Sequence, residues 1–236
     1  MQVSRKKIKN LFEKLFKINK RFKVSFSKSG DDILLSKLIN ETIPGVYLDI
    51  GSWDPIKASN SYFFYLRNWK GICVDPNPEL IEKYKKIRPR DEFVNIGIGD
   101  AEDKINYYLL NEEYSSMNSF DLEFIKKHKI EDQIKKTLKI PTMSIETLLD
   151  QKLSIGDRLD FFDVDVEGYD LKVLKTNNWQ KYRPKIVVVE SDVSIDLDVN
   201  SELTSYLGSV GYKLVGKTII NKDLGNLFFM DKKYYS

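Results

Sequence analysis

Residues 46–75 read VYLDIGSWDPIKASNSYFFYLRNWKGICVD, in which two short apolar runs flank a longer, more polar segment. Both runs, VYLDI and GICVD, are too short for buried helices and are rich in the β-branched and aromatic residues that favour strands. The segment between them contains a helix candidate at residues 59–68. Strand, helix and strand in this order predict two parallel strands joined by a right-handed crossover.

The same alternation extends from residue 31 to the C-terminus. Repeated strand and helix units predict an α/β fold whose mostly parallel, open sheet is covered by helices on both faces. The last two strands are separated by too few residues for a crossover helix, so we expect an antiparallel hairpin at or near the sheet edge. Further strands are predicted at residues 92–98, 105–110, 159–166, 185–190, 212–217 and 226–230, and further helices at 31–40, 78–87, 120–136, 145–151, 169–176 and 200–207.

The composition is that of a globular domain. Of 236 residues, 42% are apolar and 31% charged, and no run approaches the roughly 18 apolar residues of a membrane-spanning helix. Cys73 is the single cysteine and His128 the single histidine, which excludes an intramolecular disulfide and a Cys/His zinc site and argues against a Ser–His–Asp triad. The N-terminus lacks the apolar core of a signal peptide, so the expected location is the cytoplasm.

A basic segment precedes this domain. Residues 1–23 contain nine Lys or Arg and one acidic residue, Glu13, and their apolar side chains recur at three- and four-residue steps. This pattern predicts an amphipathic helix within an N-terminal arm, residues 1–30, followed by a globular domain at residues 31–236. The helix is expected to pack on the domain or, alternatively, to lie on an anionic membrane surface. Nucleic acid is not an expected partner, because no base-reading module accompanies the lysines.

Acidic residues end the first two predicted strands. In an open parallel sheet the ligand lies beyond the carboxyl ends of the strands. Asp49 is followed by Gly51, which allows a sharp turn, and Asp75 lies 24 residues beyond Gly51, near the spacing at which a carboxylate binds a ribose diol. We interpret this as the site of a cofactor that contains adenosine; the alternative for both acids is loop capping.

The sequence of the loop after the first strand indicates which adenosine cofactor to expect. It reads GSWDPI and lacks the second and third glycines of a dinucleotide fingerprint, so NAD is disfavoured. An adenosine cofactor without a pyrophosphate fits better, and S-adenosylmethionine is the common one. Its amino-acid tail needs polar groups near the turn, which Ser52, Ser59, Asn60 or Ser61 could supply.

A second acidic group lies in the segment DVDVEGY, which begins at Asp163 and ends a strand that is apolar on both faces and therefore expected to be central. Asp163 and Asp165 point to the same face, and buried carboxylates persist only if they are paired, hydrogen-bonded or open to a cleft. Glu190 and Asp192 end the strand expected beside it. We predict a cluster of carboxylates around one crevice; for Glu167 and Asp192 the alternative is structural capping.

These residues belong to an ordered set of motifs that resembles the FkbM-type methyltransferases, a family of S-adenosylmethionine-dependent O-methyltransferases. The resemblance runs from about Gly45 to Asp192 and rests on YLDIGSWDPIKASNSYFF, NWKGICVDPNPELIEKYKKIRPRDEFVNIGIGD, IPTMSIETLLD, FFDVDVEGYDLKVLK and KIVVVES. The motif R-P-x-D is present at residues 88–91. Two motifs depart from the family pattern: Asn68 replaces the glycine of G-W-x-G, and DIGSWDP replaces the D-x-G-A-N-x-G loop near the methionine part of the cofactor.

The resemblance implies a class I methyltransferase Rossmann-like fold, with a mostly parallel seven-stranded sheet and an antiparallel C-terminal hairpin. It also implies S-adenosylmethionine as the cofactor. Asp75 would bind the ribose diol and Asp100 the adenine amine, while Asp165 and Glu167 would face the acceptor. The predicted cofactor-binding residues lie at or just beyond strand ends, and they are Asp49, Gly51, Ser52, Ser61, Asp75, Asn77 and Asp100.

The resemblance implies methylation of a hydroxyl, and the expected acceptor is a sugar of a bacterial surface polysaccharide or of its lipid-linked precursor. The predicted base is Asp165, because His128 lies in a lysine-rich helix and is expected to be solvated. Alternatively, Asp165, Glu190 and Asp192 bind Mg²⁺, which would acidify the hydroxyl. The polar stretch 111–139 is predicted to form a lid or a wall of the acceptor site.

A different class of function stays open at this point. The chain could be a catalytically inactive Rossmann-like binding module of a glycan-assembly system. A nucleotide-sugar oxidoreductase is disfavoured by the missing glycines and by the absence of a Tyr-x-x-x-Lys pair. Binding of S-adenosylmethionine separates the methyltransferase from the inactive module.

Overall fold

The computed structural model describes residues 24–39, 43–100, 104–154 and 158–235. The helix predicted within residues 1–23 lies outside the described residues. None of the helices found in the described ranges is both long enough and apolar enough to cross a membrane.

The strands of the described residues form two sheets. Seven strands form the main sheet and three form a smaller one. In chain order the strands are β1 (Val46–Ile50), β2 (Lys70–Val74), β3 (Glu92–Val94), β4 (Gly97–Ile98), β5 (Lys104–Leu110), β6 (Ile134–Met143), β7 (Phe161–Val164), β8 (Ile186–Ser191), β9 (Tyr212–Asn221) and β10 (Leu224–Asp231).

The main sheet has the order β3-β2-β1-β7-β8-β10-β9, and the smaller one β4-β6-β5. In the main sheet all neighbouring strands are parallel except β10, which runs antiparallel to both β8 and β9. The predicted α/β fold and the antiparallel C-terminal hairpin are therefore confirmed. The chain winds outward from β1 to β3 and then returns to place β7 on the other side of β1, so the winding reverses between β1 and β7, where open α/β sheets bind ligands.

Helices cover both faces of the main sheet. On one face, Tyr47 and Phe161 pack against the helices at residues 31–39, 62–65 and 81–87; on the other, Leu48 and Phe162 pack against the helices at residues 145–152, 170–174 and 202–209. Strand residues thus alternate between two apolar layers, as expected for strands that are apolar on both faces. The helices are α1 (Asp31–Ile39), α2 (Tyr62–Tyr65), α3 (Ile81–Ile87), α4 (Leu122–Lys127), α5 (Ile145–Lys152), α6 (Asp170–Leu174), α7 (Ile195–Val199) and α8 (Glu202–Ser209), with 3₁₀ turns at Pro78–Leu80, Glu112–Met117, Glu131–Gln133 and Lys232–Tyr234.

Two stretches differ from the sequence prediction. The helix predicted at 120–136 is α4 followed by a turn and the start of β6, and the strand predicted at 92–98 is divided between β3 and β4. β6 reads IKKTLKIPTM, and its apolar residues Leu138 and Ile140 pack near Tyr107 of the antiparallel neighbour β5. The apolar periodicity of such a polar segment does not distinguish a strand from a helix. Its pairing with β5 determines that it forms a strand.

The buried side chain of Arg88 connects the elements that surround the carboxyl ends of β1 and β2. Its Nε donates a 2.7 Å hydrogen bond to Asp91, and both side chains of this ion pair are fully buried. Its Nη2 donates to Tyr47 Oη at 2.8 Å and to Ser61 Oγ at 3.0 Å. Its Nη1 donates to Ser59 Oγ at 3.4 Å. One guanidinium group therefore holds β1 and the loop after β1 against the end of α3.

Asp91 completes this arrangement from the other side. Its carboxylate accepts hydrogen bonds from Tyr47 Oη at 2.7 Å and from the backbone N–H of Gly71 on β2 at 2.8 Å. Arg88 and Asp91 are the first and last residues of the R-P-x-D motif, so this motif is a buried ion pair that fixes β1 and β2. The hydrogen bonds offset the cost of removing both charges from water.

We expect Arg88→Met to lower the free energy of unfolding by about 3–5 kcal/mol, because it leaves the buried Asp91 carboxylate without its charged partner. Urea unfolding followed by circular dichroism measures the change. Glu82→Gln is the control, because Glu82 pairs with Lys85 at an exposed position and its loss should stay within about 0.5 kcal/mol. Equally small effects of both substitutions would contradict the structural role of Arg88.

Candidate functional site

Three adjoining cavities lie beyond the carboxyl ends of the central strands. The first is bordered by the loop after β1, the second by the ends of β1 and β2, and the third by the ends of β7 and β8. Asp165 lines the first and second cavities, and Glu167 lines the second and third. The cavities therefore form one continuous site around these two carboxyl groups.

The first cavity depends on a glycine at the end of β1. Gly51 has a φ of +81°, and a Cβ atom at this position would lie 1.7 Å from the carbonyl oxygen of Asp165. Glycine has no Cβ atom, and this allows the loop after β1 to approach the end of β7 closely. The next residue, Ser52, is buried, and its Oγ has no hydrogen-bond partner among the residues that the structure describes.

Two buried aspartates of neighbouring strands line the first cavity. Asp49 accepts a hydrogen bond from Ser61 Oγ, which in turn accepts one from Arg88. Burial raises the pKa of Asp49 to about 6, and the positive charge of Arg88 opposes this rise. Asp163 accepts a 3.1 Å hydrogen bond from Asn60 Nδ2, and burial raises the pKa of Asp163 as well. Ser61 therefore contacts the cavity only through its hydrogen bond to Asp49 and does not itself border the cavity.

Asp75 lines the second cavity and is held by backbone groups. Its Oδ2 accepts a hydrogen bond from the N–H of Trp53 at 3.0 Å, and its Oδ1 accepts one from the N–H of Asn77 at 2.8 Å. Burial raises the pKa of Asp75 to about 7, although both N–H groups oppose this rise. Asn77 accepts a hydrogen bond from the N–H of Glu79, so it caps the following 3₁₀ turn and borders none of the three cavities.

The opposite wall of the second cavity comes from β5 and the stretch that follows it. Tyr107, Asn118 and Phe120 line this wall, and the buried Asn118 Nδ2 has no hydrogen-bond partner within the described ranges. Trp53 Nε1 donates a hydrogen bond to Ser115 Oγ at 3.2 Å, so the wall contacts the loop after β1 across the site. Part of the polar stretch that was expected to form a lid or wall thus lies at the site.

Three carboxyl groups meet where the cavities join. Side-chain oxygens of Asp165, Glu167 and Glu190 lie within 4.8 Å of one another. Burial and then repulsion by Asp165 and Asp170 raise the pKa of Glu190 to about 9. Glu190 is therefore protonated near neutral pH, and its carboxyl group can act as a hydrogen-bond donor within the cluster.

Glu167 reaches this cluster from a left-handed backbone conformation. Its φ is +52°, and that of the following Gly168 is +92°. Burial, together with the charges of Asp165 and Glu190, raises the pKa of Glu167 well above its usual range. A left-handed conformation costs a non-glycine residue roughly 1–2 kcal/mol, and such strain is typical of residues that position a functional group.

The third cavity is the largest of the three. Its volume is about 370 Å³, against about 50 and 40 Å³ for the first and second. A volume of this size lies within the range of about 300–1,000 Å³ that is usual for small-molecule sites. Its lining combines acidic groups with apolar ones, namely Glu167, Asp170, Glu190 and Asp192 with Met117, Phe124 and Leu224.

The structure does not bring Asp100 to the site. Asp100 is exposed after β4, its carboxylate lies 4.0 Å from the ammonium group of Lys172, and it borders none of the three cavities. The physical reason is that β4 leaves the main sheet to pair with β6, which carries Asp100 away from the ends of β1 and β2.

The predicted metal set also requires a correction. Asp192 follows the last residue of β8 and borders the third cavity, but its carboxylate pairs with Lys127 at 3.1 Å. The left-handed turn at Glu167 brings that side chain to the cluster instead. The carboxyl groups that meet are therefore those of Asp165, Glu167 and Glu190, and the structure does not place Asp192 among them.

Sequence reasoning did not find several residues of the site. Lys28, from the predicted arm, lines the first and third cavities, and Asn118 lines the second. His128, expected to be merely solvated, is exposed but borders the third cavity, with its Nδ1 2.9 Å from the carbonyl oxygen of Phe124. Nothing in the local sequence distinguishes Lys28 from its many basic neighbours, and only the folding of residues 24–30 against the domain reveals it.

A sequence profile of the methyltransferase FkbM domain matches residues 49–214. The chain belongs to the FkbM methyltransferase family. It is therefore an S-adenosylmethionine-dependent methyltransferase, and the sequence-based assignment of family and cofactor is confirmed. Among proteins of curated function, none matches the chain.

Several solved methyltransferase structures are similar to this chain in fold. The precorrin-6y C5,15-methyltransferase of Geobacter metallireducens is 12% identical, with 84% of this chain and 87% of that chain covered and a TM-score of 0.45. The 1,6-didemethyltoxoflavin-N1-methyltransferase of Burkholderia thailandensis, solved with S-adenosylhomocysteine, is 10% identical, with 86% and 77% covered and a TM-score of 0.46. A TehB-like methyltransferase of Corynebacterium glutamicum is 9% identical, with 94% and 97% covered and a TM-score of 0.41.

The polar groups around the first two cavities fit this cofactor. Asp75 offers carboxylate oxygens for a ribose diol at the end of β2. The unpartnered Ser52 Oγ and Asn118 Nδ2 are buried polar atoms that a ligand could satisfy. Gly51 borders both cavities and presents only backbone atoms to them. When bound, S-adenosylmethionine supplies an electrophilic methyl group on a sulfonium.

Binding of S-adenosylhomocysteine should strengthen as the pH rises from about 6 to about 8, because the ionised carboxylate accepts both diol hydrogen bonds and burial raises the pKa of Asp75 to about 7. Below that pKa a proton must leave Asp75 before the ligand binds. We expect Asp75→Asn to weaken binding by about 10- to 100-fold and to reduce its pH dependence. Isothermal titration calorimetry at several pH values measures both effects.

Asp54→Asn is the matched control for this experiment. Asp54 lies in the loop after β1, where it accepts hydrogen bonds from the N–H groups of Ile56 and Lys57, and it borders none of the three cavities. Its substitution should leave the affinity and its pH dependence unchanged. An Asp75→Asn variant that binds like the wild type would exclude the diol role.

Proposed function

We propose that this methyltransferase acts on a hydroxyl group of a sugar, in a bacterial surface polysaccharide or its lipid-linked precursor. The observation that carries the proposal is the position of the carboxyl cluster. Asp165 borders the cavities that suit the cofactor, and Glu167 and Glu190 border the large third cavity. An acceptor in the third cavity would therefore meet the methyl group beside the carboxyl cluster, in which Asp165 can accept a proton.

The lining of the third cavity suits a sugar ring. Sugar hydroxyls donate hydrogen bonds, and the carboxyl groups of Glu167 and Glu190 are acceptors. The C–H face of a sugar is apolar, and Phe124, Met117 and Leu224 offer apolar surface in the same cavity. A mixture of apolar surface and a few polar groups is the usual composition of a small-molecule pocket.

We propose Asp165 as the base and Glu190 as the residue that positions it. The pKa of Glu190 is raised to about 9, so Glu190 is protonated near neutral pH and would donate a hydrogen bond to the ionised carboxylate of the neighbouring Asp165. Burial raises the pKa of Asp165 above its usual range and so brings that pKa closer to neutral pH. A carboxylate with a higher pKa is a better proton acceptor. Methyl transfer also requires the acceptor oxygen, the methyl carbon and the sulfur to lie in line, which the walls of the site would enforce.

The proposed cofactor position runs along the first two cavities. Asp49, Gly51 and Ser52 would line the methionine and ribose side, and Asp75 would bind the diol. Asn118 replaces Asp100 as the proposed partner of the adenine, because its free Nδ2 borders the second cavity. Both cavities are narrow, so the stretch that carries Ser115 must move away from Trp53 to admit the cofactor.

The family match favours this enzyme over an inactive binding module. A cytoplasmic location, and contact of residues 1–23 with the inner face of the membrane, stay predictions from the sequence. Salt-sensitive binding to anionic vesicles, lost when residues 1–23 are removed, would support the membrane contact. The absence of such binding would leave packing on the domain as the role of this segment.

We expect Asp165→Asn to reduce methyl transfer by about 10²- to 10⁴-fold, because an amide cannot accept the hydroxyl proton. Mass spectrometry of the host glycan gives the assay: deletion of the gene should remove a methyl group from a sugar, wild-type protein should restore it, and the variant should not. Asp132→Asn, which alters an exposed carboxylate that borders none of the three cavities, should restore it fully. An unchanged glycan after deletion would refute the proposed acceptor.

We expect methyl transfer to persist after treatment with EDTA. Glu190 is protonated near neutral pH because its pKa is raised to about 9, and Lys28 lines two of the cavities around the cluster, so the negative charge of the cluster is partly balanced without a divalent ion. The measurement is transfer before and after chelation, followed by addition of Mg²⁺. Loss of transfer that Mg²⁺ restores would instead make Asp165, Glu167 and Glu190 metal ligands.

A further inference from the structure

Lys28 lies in a segment that precedes the family-matched region and yet reaches the site. The family profile begins at residue 49, whereas Lys28 lines both the first and the third cavities. It is the only cationic residue, within the described part of the chain, that lines the first or second cavity. The basic composition of the N-terminal arm does not by itself explain why a lysine lines these two cavities.

The segment that carries Lys28 is fixed by buried groups on both sides. The carboxylate of Asp32, which is fully buried, accepts hydrogen bonds from Ser25 Oγ at 2.6 Å and from the backbone N–H of Phe26 at 2.7 Å. The ring of Phe26 packs edge-on against Tyr62, with 4.9 Å between the ring centroids. Lys28 is therefore held beside the loop that leads into α2, and its backbone position is defined even though its side chain is exposed.

The same segment is also tied to the far side of the sheet. Ser29 donates to Asp31 through its Oγ at 3.0 Å, and Asp31 accepts hydrogen bonds from Thr218 and from Asn226 Nδ2. These contacts join residues 24–30 to β9 and β10. The connection between the arm and the domain is consequently part of the folded unit.

The charges around the first cavity suit a zwitterion. Asp49, Asp163 and Asp165 line it together with Lys28, and no other charged side chain of the described residues does so. The methionine part of S-adenosylmethionine carries an ammonium group, a carboxylate and the sulfonium. Three acidic groups can face the two cationic centres, and Lys28 is left to face the carboxylate.

We propose that Lys28 binds the α-carboxylate of the methionine part of the cofactor. This inference depends on the cofactor lying along the first two cavities and does not depend on the acceptor. It supplies a contact that the atypical DIGSWDP loop leaves open. The N-terminal segment therefore completes the cofactor site of this chain.

Two other roles for Lys28 make different predictions. It could merely balance the acidic cluster, since its charge lowers the pKa of Asp165, Glu167 and Glu190. It could also contact the acceptor, because it borders the third cavity. In the first case Lys28→Met would affect all ligands of the first two cavities, and in the second it would affect none of them.

The test compares two ligands by calorimetry in the absence of any acceptor. S-adenosylhomocysteine carries the amino-acid part, and 5′-methylthioadenosine lacks it but keeps the nucleoside. We expect Lys28→Met to weaken binding of S-adenosylhomocysteine by about tenfold, as for a charged hydrogen bond at an exposed position, and to leave 5′-methylthioadenosine binding unchanged. Lys28→Arg should retain most of the affinity for S-adenosylhomocysteine.

Lys37→Met is the matched control, because Lys37 lies on the exposed side of α1, borders none of the three cavities and loses the same charge. Thermal unfolding of each variant checks that the fold is intact. Equal weakening of both ligands, or no weakening of either, would overturn the proposal. If the wild type bound neither ligand, the cofactor position itself would fail, whereas a wrong acceptor would leave these results unchanged.

Discussion

The ion pair between Arg88 and Asp91 is the contact on which the shape of the first cavity depends. It is fully buried, and its hydrogen bonds reach β1, β2 and the loop between them. Through Ser61 it also connects to Asp49, which lines the first cavity. The loop after β1, which lacks a glycine-rich phosphate fingerprint, is thus fixed by hydrogen bonds from the buried Arg88 side chain. Tyr84 adds a 3.0 Å hydrogen bond to the carbonyl oxygen of Ser52.

The other side of the site keeps acidic groups close together in a poorly solvated place. Such an arrangement is unfavourable unless protons, hydrogen bonds or cations compensate for it. The proton that Glu190 holds near neutral pH provides one such compensation, and the nearby charge of Lys28 provides another. Raised pKa values of buried carboxyl groups and a left-handed backbone conformation, as at Glu167, are both typical of functional sites.

Much of this site followed from the sequence because strand ends in a parallel sheet converge. Asp75 and Asp165 lie at the ends of two predicted strands, and both line the second cavity. Their strands flank β1, so the parallel order of β2, β1 and β7 brings the two carboxyl groups to the same edge. Asp100, which the family resemblance places at the adenine, lies outside the three cavities because β4 leaves the main sheet and pairs with β6.

The sequence by itself determined the family, the α/β fold, the direction of the strands and the acidic residues that end them. These properties follow from local apolar patterns and ordered motifs, which do not require knowledge of distant contacts. Only the tertiary structure decided that β6 is a strand, that Glu167 and not Asp192 joins the carboxyl cluster, and that Lys28 reaches the first cavity. Each of these three features depends on strand pairing, on a backbone turn or on packing between segments that are far apart in the chain. The energies of such contacts cannot be read from any single stretch of sequence.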